Sequence, residues 1–184
     1  IDLIAKFPWK KSMRWGEGNL RWVRPLKFIY CAIFENDKNC EIIDLKLKGI
    51  NSVNFTLGHY LISSEKIFPK NINDYIKKLF KNKVILDRAE RKKIIINSFE
   101  KLLINQDSSI INDEDLLEEI VGLVEWPVVF LGYIDEEFLS LPREILRVTM
   151  KEHQKFLSVL NNKSKLIDKF IVVANILAED GGKA

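Results

Sequence analysis

The chain has 184 residues, enough for one domain or one and a half with a real hydrophobic core. Hydrophobic residues make up 47% of it and charged residues 30%, as is typical of a soluble globular protein, and no apolar run approaches the ~20 residues of a membrane span. The net charge of +3 permits a nucleic-acid partner without requiring one, because binding depends on how charge clusters.

Two cysteines, Cys31 and Cys40, flank a polar turn at residues 35–39. Nothing else in the sequence suggests secretion, so we expect reduced thiols and a cytoplasmic location. The start at Ile1 and the Gly-Gly-Lys-Ala end predict that the chain is a piece of a longer protein.

Residues 1–25 mix basic and aromatic groups and hold three of the four tryptophans, Trp9, Trp15 and Trp22. Aromatic rings interleaved with Arg and Lys offer stacking surfaces and phosphate partners together, which favours RNA recognition. The alternative is an amphipathic segment whose tryptophans enter the core while its lysines stay solvated.

Three strands are predicted next. Residues 26–34 have the pattern of a buried strand, residues 41–50 that of a half-exposed antiparallel strand, and residues 53–62 that of a third strand. The third segment contains Gly58-His59. A lone histidine near a glycine is more often a structural hydrogen-bonding group than a metal ligand.

Two helices are predicted to follow, capped by Asn73 and by Asp87. The second has an apolar inner face and a basic outer face, which is either solvated or in contact with RNA. The outer face consists of Arg88, Arg91, Lys92 and Lys93. Residues 105–109 are predicted to form a loop, and a weak point between structural elements is expected near residues 105–112.

Asp113 or Asn112 is predicted to cap a further helix with an acidic first turn. Pro127 ends any helix, because it lacks an amide hydrogen and disfavours helix at Trp126. Residues 128–133 then have the pattern of a fully buried strand.

The next helix begins near Pro142. Its basic side chains recur every four residues and share one face; they are Arg143, Arg147, Lys151 and Lys155, with Gln154 beside them. Like charges on one face repel each other, and an anionic partner would relieve that repulsion. An RNA contact and a merely solvated face therefore both remain open.

The chain closes with a predicted hairpin, in which strands at residues 156–160 and 170–177 flank a turn. No phosphate-binding glycine loop, GxSxG, HExxH or paired CxxC motif occurs, so no self-sufficient catalytic or metal site is predicted. The elements together predict a single α+β domain over residues 1–184, with an antiparallel or mixed sheet packed against several helices.

An ordered set of short motifs resembles the β subunit of the bacterial heterotetrameric glycyl-tRNA synthetase. The set consists of KSMRWG at 11–16, VRP at 23–25, GH at 58–59, DRAER at 87–91, LLEE at 116–119, LVEWP at 123–127, LPRE at 141–144, TMKEHQK at 149–155 and VANI at 173–176. The motifs follow the family's order and cover nearly the whole chain. The resemblance implies an amino-proximal part of that subunit.

The resemblance also implies a function. The full enzyme joins glycine to its tRNA with ATP and Mg²⁺ at a site on the α subunit, in a heterotetramer of two α and two β subunits. The β subunit chiefly binds tRNA and supports the complex, so this chain is expected to bind tRNA or, alternatively, to dock the α subunit without touching RNA. No cofactor is expected in the chain itself.

Candidate RNA contacts follow from the motifs and from the basic helix face. They are Lys11, Arg14, Trp15, Arg24, His59, Arg143, Arg147, Lys151, His153, Gln154 and Lys155. One departure concerns the Gly-His motif, which the family usually flanks with arginines. Here Leu57 and Tyr60 stand at those positions, so two positive charges are missing from that loop.

Overall fold

A computed structural model describes residues 2–35, 39–47, 49–104 and 108–177. It divides into two compact units, Ile1–Asn82 and Lys83–Ala184. Both units combine helices with short sheets, which confirms the predicted α+β class. One domain over the whole chain stays a prediction.

The first unit is built from short strands around one longer helix. Its elements are α1 (Asp2–Ala5), β1 (Met13–Arg14), β2 (Arg21–Trp22), β3 (Ile29–Tyr30), β4 (Ala32–Glu35), β5 (Asn39–Ile42), β6 (Lys46–Leu47), β7 (Ile50–Val53) and α2 (Ile72–Lys81). Strands β1 and β2 form an antiparallel ribbon, and so do β4 and β5. Strand β7 lies between β3, which is parallel to it, and β6, which is antiparallel.

The predicted strands of this unit are partly wrong. Residues 26–34 supply β3 and most of β4 as two half-buried pieces, and the segment 41–50 is interrupted between β5 and β6. At that interruption the Leu45 amide donates to Ser52 Oγ at 2.8 Å, so a side chain replaces a strand neighbour. The third strand ends at Val53, followed only by an isolated bridge between Thr56 and Ile67. Residues 36–38 of the predicted turn, and Lys48, lie outside the described residues.

Helix α2 begins two residues earlier than predicted. Asn71, not Asn73, is its N-cap, and Asn71 Oδ1 accepts from the Asp74 amide at 2.8 Å. The cap lies at Asn71 because its backbone is extended there, which aims the side chain at the first free amides of the helix.

The second unit is a four-stranded antiparallel sheet with helices packed on it. Its elements are α3 (Arg88–Leu103), β8 (Ser108–Ile110), α4 (Glu114–Leu123), β9 (Val128–Tyr133), a 3₁₀ turn (Phe138–Ser140), α5 (Arg143–Val148), a π-helical turn (Thr149–Gln154), β10 (Leu157–Asn161) and β11 (Leu166–Ala174). The strand order is β8-β10-β11-β9. Its core includes Ile95, Val121, Val159 and Ile171, each fully buried.

Several predictions for this unit are confirmed. Asp87 caps α3 and Asp113 caps α4. The closing hairpin forms as β10–β11, although its second strand is Leu166–Ala174 and not residues 170–177. Strand β9 forms after Pro127 but is half-buried rather than fully buried. The predicted loop at 105–109 is wrong at its end, because Ser108 and Ser109 belong to β8 and pair with β10; residues 105–107 lie outside the described part of the chain.

Asn175 joins the end of α4 to the end of β11. Its Oδ1 accepts from the amides of Glu125 at 2.6 Å and Trp126 at 3.0 Å. These amides follow the last turn of α4 and precede Pro127, which has no amide hydrogen of its own. One side chain thus fixes the entry into β9. Within the described residues, no helix has the length and apolarity to cross a membrane.

Asn175→Ala should lower the free energy of unfolding by about 1–2 kcal/mol, because two amides lose their acceptor. Asn162→Ala removes an exposed asparagine in the β10–β11 turn and should change it by less than about 0.5 kcal/mol. Denaturant titration of both variants makes the comparison. Equal destabilisation would contradict the role given to Asn175.

Candidate nucleic-acid interface

The ribbon β1–β2 places two arginines directly opposite each other. Arg14 pairs in register with Arg21, and both are exposed. Arg21 donates weakly to Ser12, through Nε to Oγ at 3.3 Å and through Nη2 to the carbonyl at 3.4 Å. Like charges facing across a ladder destabilise it. Among the described residues, no carboxylate pairs with Arg14, Arg21 or Lys11.

The aromatic rings of the same segment pack mostly on one another. Trp9 lies 4.4 Å from Phe7 and 4.9 Å from Trp22 between ring centroids, and its indole Nε1 is buried without an acceptor. Trp9 and Trp22 are half-buried, so they pack on neighbouring rings and do not enter the buried core that the alternative predicts. Trp15 stays half-buried outside that cluster, and Arg24 is exposed.

The Gly58-His59 motif is structural in this fold. A Cβ at residue 58 would overlap Asn82 Cβ and lie 2.9 Å from the Asn82 carbonyl, so only glycine fits. That carbonyl accepts from the His59 amide at 2.9 Å. The His59 side chain is fully buried, with Nδ1 accepting from the Leu61 amide at 3.4 Å. Because its side chain has no exposed surface, His59 cannot make the direct RNA contact that the resemblance suggests.

The basic helix face is divided by a change of helix type. Helix α5 ends at Val148 and continues as the π-helical turn, which ends at Lys155 in left-handed backbone with φ 57°. The wider π turn breaks the four-residue spacing that would align the basic side chains. Arg143 and Arg147 are exposed on α5, and His153 and Gln154 are exposed on the turn.

The two lysines of the face are held by acids at the start and middle of α4. Lys151 Nζ lies 2.6 Å from Asp113 Oδ2, and Lys155 Nζ lies 3.0 Å from Glu119 Oε2. The hydrogen bond from Lys151 lowers the pKa of Asp113, and the same bond raises the pKa of Lys151. In contrast, no carboxylate oxygen of the described residues lies within 4.0 Å of a guanidinium nitrogen of Arg143 or Arg147.

The predicted basic face of α3 is likewise bound to α4. Arg88 pairs with Glu118 at 2.6 Å, and Lys92 pairs with Glu118 at 2.7 Å and also with Glu114. Arg91 donates to the carbonyl of Ile85 at 2.6 Å. Three of the four basic side chains of this face are therefore held within the fold, and the fourth, Lys93, is exposed.

The candidate residues thus fall into two groups, one in each unit. The first unit holds Lys11, Arg14, Trp15 and Arg24, and the second holds Arg143, Arg147, Lys151, His153, Gln154 and Lys155. The motifs do not single out Arg21, because its position opposite Arg14 appears only once the ribbon pairs. No three His, Cys, Asp or Glu side chains of the described residues are placed to hold a metal ion.

An apolar row on the second unit was also absent from the predicted site. Ile145 and Val148 on α5 are 53% and 56% exposed, and Leu141, two residues before the helix, is 42% exposed. Between residues 143 and 150, only Leu146 and Met150 are withdrawn from solvent.

Comparison with known proteins gives one family. The family described as "Glycyl-tRNA synthetase beta subunit" matches residues 1–183. Proteins named glycine–tRNA ligase beta subunit from Paracoccus denitrificans and a Ruegeria species are each 44% identical, and one from Cereibacter sphaeroides is 42% identical. Each match covers 98% of this chain and 26% of the relative, so the chain spans about a quarter of their length.

Asp113 should contribute to acid unfolding. Its folded-state pKa lies below the ordinary 3.8, so its stabilising contribution is present above pH 3.8 and is lost as the pH falls through the lowered value. Lys151→Gln removes the partner that lowers the pKa and should flatten this part of the stability curve. Melting temperatures measured between pH 7 and 2 test this; an unchanged acid limb in Lys151→Gln would contradict it.

Proposed function

The chain belongs to the glycyl-tRNA synthetase β-subunit family, and from that premise we propose that it is part of the β subunit of a glycine–tRNA ligase, binding tRNA and supporting the assembly. The complete enzyme joins glycine to tRNA with ATP and Mg²⁺ in the cytoplasm. It does so at a site on the α subunit, in a heterotetramer of two α and two β subunits. This chain supplies no catalytic residue to that reaction.

The pair of facing arginines carries the RNA-binding part of the proposal. Arg14 and Arg21 stand opposite each other on an exposed ribbon, and no carboxylate in the described part of the chain pairs with either of them. The repulsion between them is relieved when an anion lies between or beside them. A nucleic-acid backbone supplies phosphates in a row, and guanidinium groups bind them in a bidentate manner. Lys11, Arg24 and the half-buried Trp15 extend this surface.

Arg143 and Arg147 form the second proposed contact. They keep their charge available, whereas Lys151 and Lys155 are engaged by α4. The exposed His153 and Gln154 add hydrogen-bonding groups beyond the π-helical turn. Phosphate contacts of this kind position RNA without reading its sequence.

Replacing both ribbon arginines, Arg14→Ala and Arg21→Ala, should weaken binding of the complete enzyme to glycine tRNA. Each lost phosphate contact lowers the slope of log affinity against log salt by ~1, so the slope should fall by about 2. Filter binding at several salt concentrations measures both quantities.

The matched control is Lys163→Gln with Lys165→Gln, which removes two exposed positive charges near the β10–β11 turn. We expect a clearly smaller change in slope there. Equal effects of the two double variants would mean that only the overall positive charge matters and not its position on the ribbon. Unchanged affinity in the ribbon variant would contradict the proposal.

A second function, docking of the α subunit, is favoured by the apolar row of Leu141, Ile145 and Val148. Exposed apolar side chains that lie close together in the chain are typical of protein interfaces. The row lies in a different unit from the arginine ribbon, but it shares α5 with Arg143 and Arg147.

Ile145→Ser with Val148→Ser should weaken association of the α and β subunits at least about tenfold if the row is buried on assembly. Leu123→Ser, which changes another exposed apolar side chain on a helix, serves as the control. Analytical ultracentrifugation of mixed subunits measures the effect. Intact assembly in the double variant excludes the row as the docking surface.

A further inference from the structure

Two of the lysines that are expected to bind RNA form ion pairs with carboxylates of α4 and its N-cap. Asp113 Oδ2 lies 2.6 Å from Lys151 Nζ, and Glu119 Oε2 lies 3.0 Å from Lys155 Nζ. Asp113 is the N-cap of α4 and Glu119 lies within that helix, while Lys151 lies in the π-helical turn and Lys155 directly follows it. Two lysines four residues apart are thus paired with carboxylates, although lysines of this kind also bind the phosphates of a nucleic acid.

We propose that Asp113 and Glu119 act as an internal substitute for RNA phosphates, covering Lys151 and Lys155 until the backbone of a bound RNA displaces them. This inference rests on the proposed tRNA binding and adds an autoinhibitory contact to it. The covered lysines do not attract polyanions indiscriminately, and they become available to an RNA that is already held by Arg143 and Arg147.

The two carboxylate oxygens of Asp113 have different partners, so the loss of Lys151 from one of them does not remove the cap of α4. Its Oδ1 accepts from the Leu116 amide at 3.1 Å and caps α4, while Oδ2 alone holds Lys151. When Lys151 moves to a phosphate, the cap remains. Glu119 has no cap to maintain, because it lies within the body of the helix.

There is also room for a phosphate beside the first pair. A surface cavity of about 230 Å³ is lined by Asp113, Lys151 and Arg147, among others. A phosphate that enters it meets the guanidinium of Arg147 and the ammonium of Lys151 together. Glu144 and Glu152 line the same cavity and disfavour a free anion, so the site suits a phosphate anchored in a chain held elsewhere.

The strength of the two pairs is suited to displacement. The side chains of Lys151 and Asp113 are 43% and 19% exposed, and those of Lys155 and Glu119 are 30% and 47% exposed. Partly exposed pairs of this kind change an equilibrium constant by no more than about fivefold each. The binding of a polyanion, which also releases counterions, can compensate for the loss of such a pair, whereas a deeply buried ion pair would not be displaced.

The backbone of the turn does not need to move. Lys155 takes a left-handed conformation that fixes the end of the π-helical turn, and the Phe156 amide donates to the Met150 carbonyl at 2.9 Å. Only the flexible lysine side chains have to turn from carboxylate to phosphate, which they do within nanoseconds at a surface.

The test variant is Asp113→Asn with Glu119→Gln in the complete enzyme. Asparagine still caps a helix, so α4 is retained while both lysines lose their acidic partners. Filter binding with glycine tRNA should show roughly three- to twentyfold tighter binding at low salt and a salt slope steeper by up to about 2. Adding Lys151→Ala and Lys155→Ala to this variant should abolish the gain.

The control is Asp87→Asn with Glu100→Gln, which removes the capping carboxylate and one helical carboxylate of α3; neither forms an ion pair with another described residue. An equal gain in this control, or no gain in the test variant, overturns the inference. The Arg14→Ala and Arg21→Ala variant runs in the same series. If it binds tRNA normally, the proposed function fails; if it loses affinity while Asp113→Asn with Glu119→Gln gains none, only this inference fails.

Discussion

The acidic side of α4 determines how charge is distributed over the second unit. Its apolar side, with Leu116, Ile120 and Val121, lies in the core, so its carboxylates are fixed in place by packing. Glu118 holds Arg88 and Lys92 from α3, while Asp113 and Glu119 hold Lys151 and Lys155 from the π-helical turn. Four cations are thereby neutralised by one helix. Among the described residues Arg143 and Arg147 form no such ion pair, and Arg147 acts on Asp113 only as a nearby positive charge that helps to lower its pKa.

Several motifs of the family serve the architecture of the chain. The glycine of Gly58-His59 admits Asn82, and His59 is enclosed behind it. The asparagine of VANI accepts the two amides that precede the proline of LVEWP, so two motifs far apart in sequence meet in one hydrogen-bonded junction.

The sequence predicted best what is local. Asp87 and Asp113 are caps because a short acidic side chain precedes a long apolar repeat, and the β10–β11 hairpin follows from two strands around a polar turn. Strands of the first unit were misjudged because alternation at 41–50 cannot reveal that Ser52 Oγ takes the Leu45 amide. The four-residue spacing predicted the basic side chains that share a face, but it did not predict that Lys151 and Lys155 form ion pairs. Neither the π-helical turn after Val148 nor the contacts with α4 can be inferred from a four-residue spacing, since both depend on packing between distant segments.

The central claim is that RNA binds where arginine charge is left uncompensated. Arginine modification by phenylglyoxal, quantified residue by residue in the complete enzyme, tests it directly. With glycine tRNA present, the account predicts protection of Arg14, Arg21, Arg143 and Arg147 and no change at Arg88 or Arg91, which are bound within the fold. Protection of Arg88 and Arg91 with none at Arg14 and Arg21 would contradict it.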